Sequence, residues 1–169
     1  MQENVNTHFD ATVAYWDEVY RSGQLQGVIY QRRQAGVLEY VDAAGLAPSA
    51  RVLEIGCGAG HLTLALAERG LCVHAVDASP AMVELAAGQA RAAGLDGQVE
   101  VSPADAHALP FEDGQFELVV AVGVIPWLHS PREAVAEMRA CCELADMAYS
   151  PPTTERGRRR SPIRAGCSR

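Results

Sequence analysis

Apolar residues at Val5, Phe9, Val13, Trp16 and Val19 recur at three- and four-residue intervals, which predicts a helix over 5–20 with one buried stripe. A second helix is expected over 27–44, separated from the first by Ser22-Gly23 and ended at Gly45-Leu46-Ala47-Pro48. The period then changes. Short apolar runs at 51–55, 72–76, 98–102 and 116–122 fit strands, and helical spacing returns between them over 60–68, 79–93 and 130–144. Ser79-Pro80 and Ser130-Pro131 place a hydroxyl at the cap and proline in the first turn, and Gly94 stops the middle helix. The run 116–122 is apolar nearly throughout, as in a strand covered on both faces. Strands alternating with helices require parallel pairing and right-handed crossovers. The expected class is α/β: a Rossmann-like parallel sheet with helices on both faces.

The first strand ends in Gly56-Cys57-Gly58-Ala59-Gly60, and the second ends at Asp77, about twenty residues on. Glycine lets the backbone take positive φ and approach a ligand closely. A carboxylate after the second strand can accept both hydroxyls of a ribose. A dinucleotide would lay its pyrophosphate on the glycine turn, where helix amides favour negative charge. Glu54 stands two residues before the first glycine and would repel it, and a dinucleotide fingerprint wants glycine where this chain has His61. The turn suits a nucleoside without phosphate and with a positive charge. S-adenosylmethionine, with its sulfonium and α-amino group, is such a ligand; a nicotinamide dinucleotide is the weaker alternative.

With these residues in view, the chain resembles the class I S-adenosylmethionine-dependent methyltransferases, of the small type grouped with ubiquinone and menaquinone biosynthesis. The resemblance runs from about Phe9 to Met138. It implies that LEIGCGAG, with Glu54, Gly56, Cys57, Gly58 and Gly60, wraps the methionine part of the cofactor. It implies ribose contact at Asp77 beside Ala78, adenine contacts at the Asp105-Ala106 pair, and backbone contacts around Ala121 and Val122. Met82, on the helix after the second strand, either packs in the core or faces back over the site to touch adenine. Glu117 departs mildly from the aspartate usual at its position. The implied activity is transfer of a methyl group to a small-molecule acceptor, with no catalytic side chain assigned.

Other candidates carry bland readings beside sharper ones. His129 and Trp127 follow the fourth strand near the expected substrate mouth, where a histidine could serve as base or merely end a helix. His61 and His107 lack metal-ligand spacing, and His74 lies within a strand and reads as structural. Tyr15, Trp16, Tyr20 and Arg21 either pack a helix on the sheet or form a lid over the cofactor.

Composition narrows the partners. Up to Ala140 there are 18 acids against 8 arginines, and the chain has no lysine, so its body offers no basic face for nucleic acid. No apolar run is long enough to span a membrane, and MQENVNTHFD lacks the basic start and apolar stretch of a secretory signal. The five cysteines are scattered and odd in number, which fits reduced thiols in a cytoplasmic protein. No metal site is expected.

Past Arg139 the pattern breaks. A helix end, Gly-Gly turn and fifth strand are expected, but the chain continues as a Pro-, Arg- and Ser-rich stretch. Back-translation of RACCELADMAYSPP with GC-rich codons, read two nucleotides later, gives RVLRAGGYGVL, a good match to the expected continuation. The expectation is therefore a frameshifted, truncated methyltransferase lacking strands 5–7. The expected activity is methyl transfer; the alternative is a truncated, non-catalytic remnant that at most binds the cofactor. The expected organisation is a helical lid over 1–48, a cofactor-binding domain over 49–144 and a disordered tail over 145–169.

Overall fold

The computed structural model describes residues 9–20 and 22–143. Two helices, α1 (Val13–Val19) and α2 (Leu25–Ala44), precede β1 (Arg51–Ile55), α3 (His61–Ala67), β2 (Cys72–Asp77), α4 (Pro80–Ala92), β3 (Val99–Pro103), β4 (Leu118–Ala121) and α5 (Pro131–Ala140). A 3₁₀ turn at Ile125–Trp127 precedes α5. The four strands are parallel in the order β3-β2-β1-β4. Chain order runs outward from β1 to β2 to β3, then reverses when β4 joins the other side of β1. Such a reversal leaves a crevice beyond the strand carboxyl ends, where open α/β sheets bind ligands.

Alternation along β1 divides the core. Val52 packs with Leu62, Leu66, Ala86, Ala90 and Val41, from α3, α4 and α2, whereas Leu53 and Ile55 pack with Phe111, Phe116, Ala134 and Met138 on the opposite face. Helices therefore cover both faces, as the sequence predicts. Ser79 caps α4 by accepting a 3.2 Å hydrogen bond from the Met82 amide, with Pro80 in the first turn. Expected Ser130, by contrast, makes no side-chain cap bond.

The fourth strand departs most from expectation. It pairs only over Leu118–Ala121, matched to Val52–Ile55, and only Val120 in it is buried. Among the described residues no strand lies along its outer side; a single parallel bridge, Phe116 to Cys142, touches that edge. Gly123, at φ +76, turns the chain away immediately after. At the start of the strand, Glu117 accepts from the Arg51 amide at 2.8 Å and from its guanidinium at 3.2 Å, tying β4 to β1. Expectations for Val5, Arg21, Leu144 and the tail over 145–169 lie outside the described residues. Among the described residues, no helix is long and apolar enough to cross a membrane.

Candidate functional site

The turn after β1 is built from backbone. Both the Gly56 and Cys57 amides donate to the Val76 carbonyl, at 2.8 and 3.1 Å, so the turn is fastened to the end of β2. Gly56 has φ +71, and a Cβ there would stand 2.8 Å from Val124 Cγ2. Gly58 has φ +51 with nothing within 4 Å of its would-be Cβ, which leaves open space at the turn.

Asp77 ends β2 and is held from two sides. One carboxylate oxygen accepts from the Gly58 amide and the other from the Ser79 amide, both at 2.9 Å. Each oxygen keeps a further lone pair. Burial raises the Asp77 pKa, while the backbone bonds from Ser79, Gly58 and Ala78 oppose that rise.

Turn and carboxylate wall a cavity of about 890 Å³, counting its solvent-open part. Of the residues singled out from sequence, Gly56, Gly58, Asp77, Ala78, Met82, Asp105, Ala106 and Val122 line it. Glu54, Cys57 and Gly60 do not. Gly60, at φ +85, starts α3 and packs against Ala86, where a Cβ would come within 3.0 Å. Cys57 is buried, and burial pushes its thiol well above the usual range.

Glu54 is the instructive case. It is buried behind the turn, and the Thr63 hydroxyl donates to it at 2.6 Å. Burial pushes its carboxyl up to about 8; the Thr63 bond pulls the other way, and the Asp77 charge adds to the rise. Without a ligand, this group carries its proton at neutral pH. It can act on a ligand through its field, as a reserve of negative charge that a nearby cation would draw out.

Asp105 bonds sideways. Its Oδ1 accepts from the His107 amide at 2.9 Å and lies 2.6 Å from His107 Nδ1. His107 Nε2 in turn accepts from the Ser130 amide at 3.3 Å, which assigns the proton to Nδ1. His129 lies against His107, ring centroids 3.7 Å apart. The two loops flanking the cavity are thereby joined. His74 is structural, with Nε2 2.8 Å from Ser102 Oγ and its ring edge-on to Phe111.

Five rings line the same cavity: Phe9, Trp16, Tyr20, Tyr30 and Trp127. Phe9 packs on both Trp16 and Trp127, and Tyr30 on both Trp16 and Tyr20. Tyr20 also stacks on His61, ring centroids 4.9 Å apart. Burial, then the Glu54 charge, pushes the Tyr20 phenol up to about 12, so it remains a hydroxyl. Tyr15 is half exposed and only braces Trp16. The segment bearing Phe9 and Trp16 is pinned by its acids: Asp10 accepts from the Ser79 hydroxyl at 2.5 Å, and Asp17 from the Gln89 side-chain amide at 2.9 Å. Sequence reasoning missed Phe9, Tyr30 and Asp10 as site residues. Phe9 was legible only as part of a helical stripe.

A family model described as a methyltransferase domain matches residues 52–143, more than half of the chain. This chain is a member of the class I S-adenosylmethionine-dependent methyltransferase family. The chain is 35% identical over 138 residues to a malonyl-[acyl-carrier protein] O-methyltransferase of Halorhodospira halophila, covering 80% of this chain and 43% of that one. A Geobacter sulfurreducens protein of the same description is 37% identical over 115 residues, covering 66% and 41%. The chain thus spans less than half the length of these curated relatives. Among solved structures, magnesium protoporphyrin IX methyltransferase from Synechocystis PCC 6803, with bound SAH, superposes with a TM-score of 0.72 at 23% identity, covering 85% of this chain and 68% of that one. The [4+2]-cyclase SpnF superposes at 0.74 and 23% identity, covering 85% and 57%. Both show the fold.

Proposed function

We propose that this methyltransferase domain binds S-adenosylmethionine in the cavity at the carboxyl ends of β1 and β2 and serves methyl transfer to a small-molecule acceptor. The observation that carries the reading is the pairing of an open glycine turn with Asp77, a carboxylate fixed by two amides and lining the same space. In this reading Asp77 takes the ribose hydroxyls. Met82 and Ala106 supply apolar contact to the adenine, and Asp105, steadied by His107, accepts from its amino group. The Gly56–Gly58 backbone lies along the methionine part. Among the described residues, the cavity lining holds Asp77 and Asp105 and no basic side chain, which favours a cationic ligand over a pyrophosphate.

When bound, the cofactor supplies an electrophilic methyl on a sulfonium, and the C–S bonding pair returns to sulfur as the acceptor's lone pair takes the methyl. The protein's part is positioning and exclusion of water, which such a displacement chiefly needs. Trp16, Tyr20 and Trp127 give the apolar cover, and residues 1–48 form the lid that carries much of it. The Asp10–Ser79 bond latches that lid to the loop after Asp77. A cytoplasmic location fits this reading.

Ultraviolet cross-linking of the full chain with methyl-tritiated S-adenosylmethionine tests it. Label is expected to enter the protein and to be displaced by S-adenosylhomocysteine but not by NAD. Displacement by NAD alone would overturn the assignment.

A further inference from the structure

The cavity has two chemically different walls. The acids that line it, Asp77 and Asp105, stand with the glycine turn on the cofactor side. The aromatic part of the lining, Phe9, Trp16, Tyr20, Tyr30 and Trp127, comes from the segments before β1 and from the 3₁₀ turn after β4. Ring faces of this kind hold planar apolar ligands at little entropic cost, because the rings that form them have few torsions to lose.

Two hydrogen-bond donors belong to that second wall. The indole N–H of Trp16 is buried and has no partner. Indole can only donate, and a buried donor without a partner costs free energy until something accepts from it. The second donor is Arg33 on α2, one turn along from Tyr30. Its guanidinium carbon lies 5.7 Å from the centre of the Tyr30 ring, and Nη1 is 3.9 Å from where a Cβ on Gly123 would stand. Tyr30 and Gly123 both line the cavity. No carboxylate pairs with Arg33 among the described residues, whereas Arg51 and Arg69 have theirs at 3.2 and 2.7 Å. An exposed arginine is ordinarily a solvated charge. Here it lines a groove along β4 that shares Val122 and Gly123 with the cavity, so its charge stands next to the ring-lined part of the site.

We propose that the acceptor is a planar, ring-bearing anion: its ring lies among Trp16, Tyr30 and Trp127, an oxygen accepts from the Trp16 indole, and its carboxylate or equivalent group pairs with Arg33. This rests on the methyltransferase reading, since it assigns the second ligand of the same cavity. Arg33 is then a specificity-determining residue, remote from the methyl.

Both tryptophans of the chain, Trp16 and Trp127, are in this wall, so intrinsic fluorescence reports on it directly. The full chain is titrated with 4-hydroxybenzoate, 4-hydroxybenzamide and tyramine, which share a phenol ring and differ in charge. Each titration is run with and without S-adenosylhomocysteine, whose own binding is followed by calorimetry. The anion is expected to bind roughly tenfold more tightly than the amide or the amine, as one charge-assisted contact provides. Arg33→Gln is expected to abolish that preference and leave the amide unchanged. Trp16→Phe, which keeps a ring, is expected to weaken anion and amide alike by roughly fivefold.

Equal affinities for the three probes, or no binding of any, would overturn the proposal. So would an Arg33→Gln variant that loses S-adenosylhomocysteine as strongly as the benzoate, because the cation would then belong to the cofactor's carboxylate. Cofactor binding without charge selectivity defeats this inference and leaves the methyltransferase reading standing; charge selectivity without cofactor binding defeats the methyltransferase reading, and with it the assignment of the ring ligand as methyl acceptor.

Discussion

The two walls of the cavity are made in different ways. The cofactor wall is backbone and strand ends: Gly56 and Cys57 bonded to Val76, and Asp77 bonded to Gly58 and Ser79. The ring wall is side chains of residues 9–20, of α2 and of the 124–128 turn, held by ring contacts and by two acids reaching across to Ser79 and Gln89. The first tolerates almost no change of residue, because the backbone conformation itself is the feature. The second asks only for rings of adequate size on a surface that is half exposed. One wall is suited to a ligand that never varies, and the other can be respecified by exchanging side chains.

The largest expected effect comes from filling the turn. Gly56→Val adds atoms against Val124 and forces a branched side chain to positive φ. It is expected to cost roughly 3 kcal/mol or more in urea unfolding. Gly58→Ala, which meets nothing within 4 Å but keeps φ +51, is expected to cost only about 1–2 kcal/mol while losing cofactor affinity. Comparable losses at both positions would mean that Gly58 does not face the ligand.

A smaller effect concerns pH. The Glu54 carboxyl titrates near 8 when folded and in the ordinary carboxylate range when unfolded, so between about 4.5 and 8 the folded state holds the extra proton. This contribution is fully present at low pH and lost as pH rises toward 8; the raised Asp77 adds with the same sign. Thermal unfolding followed at pH 5 and pH 8.5 should show the melting temperature fall. Glu54→Gln should flatten that fall by removing the titration, and an unchanged slope would remove Glu54 as its source.

The ring wall should respond more mildly. Asp10→Asn weakens the latch onto Ser79, and is expected to speed proteolysis near α1 several-fold while moving global stability by about 1 kcal/mol or less. The smallest effect is at the sheet margin. Arg51→Ala breaks a partly exposed pair with Glu117 and is expected to cost about 0.5 kcal/mol in the same unfolding assay.

This contrast also explains what could be read from sequence. Strands β1 to β3, the glycine turn and Asp77 were legible because positive φ, close approach and strand-end acids demand particular residue types at fixed spacing. Glu54 was legible as a residue but not in its state: spacing cannot reveal that full burial, against the pull of the Thr63 bond, raises its carboxyl to about 8. The length of β4 was overestimated because an apolar run records hydrophobicity, whereas β1 offers only four pairing positions to it. Phe9, Tyr30 and Trp127 converge from three separate segments, and nothing in their spacing brings them together. Arg33 looked like one of several arginines until its neighbours were known.

Isothermal titration of the full chain with S-adenosylhomocysteine, set beside its Asp77→Asn variant and a titration with NAD, tests the central claim most directly. The account predicts saturable one-site binding, weakened roughly tenfold or more by Asp77→Asn, and no saturable heat with NAD. Binding of NAD in preference to S-adenosylhomocysteine, or affinity for the latter unmoved by Asp77→Asn, would contradict it.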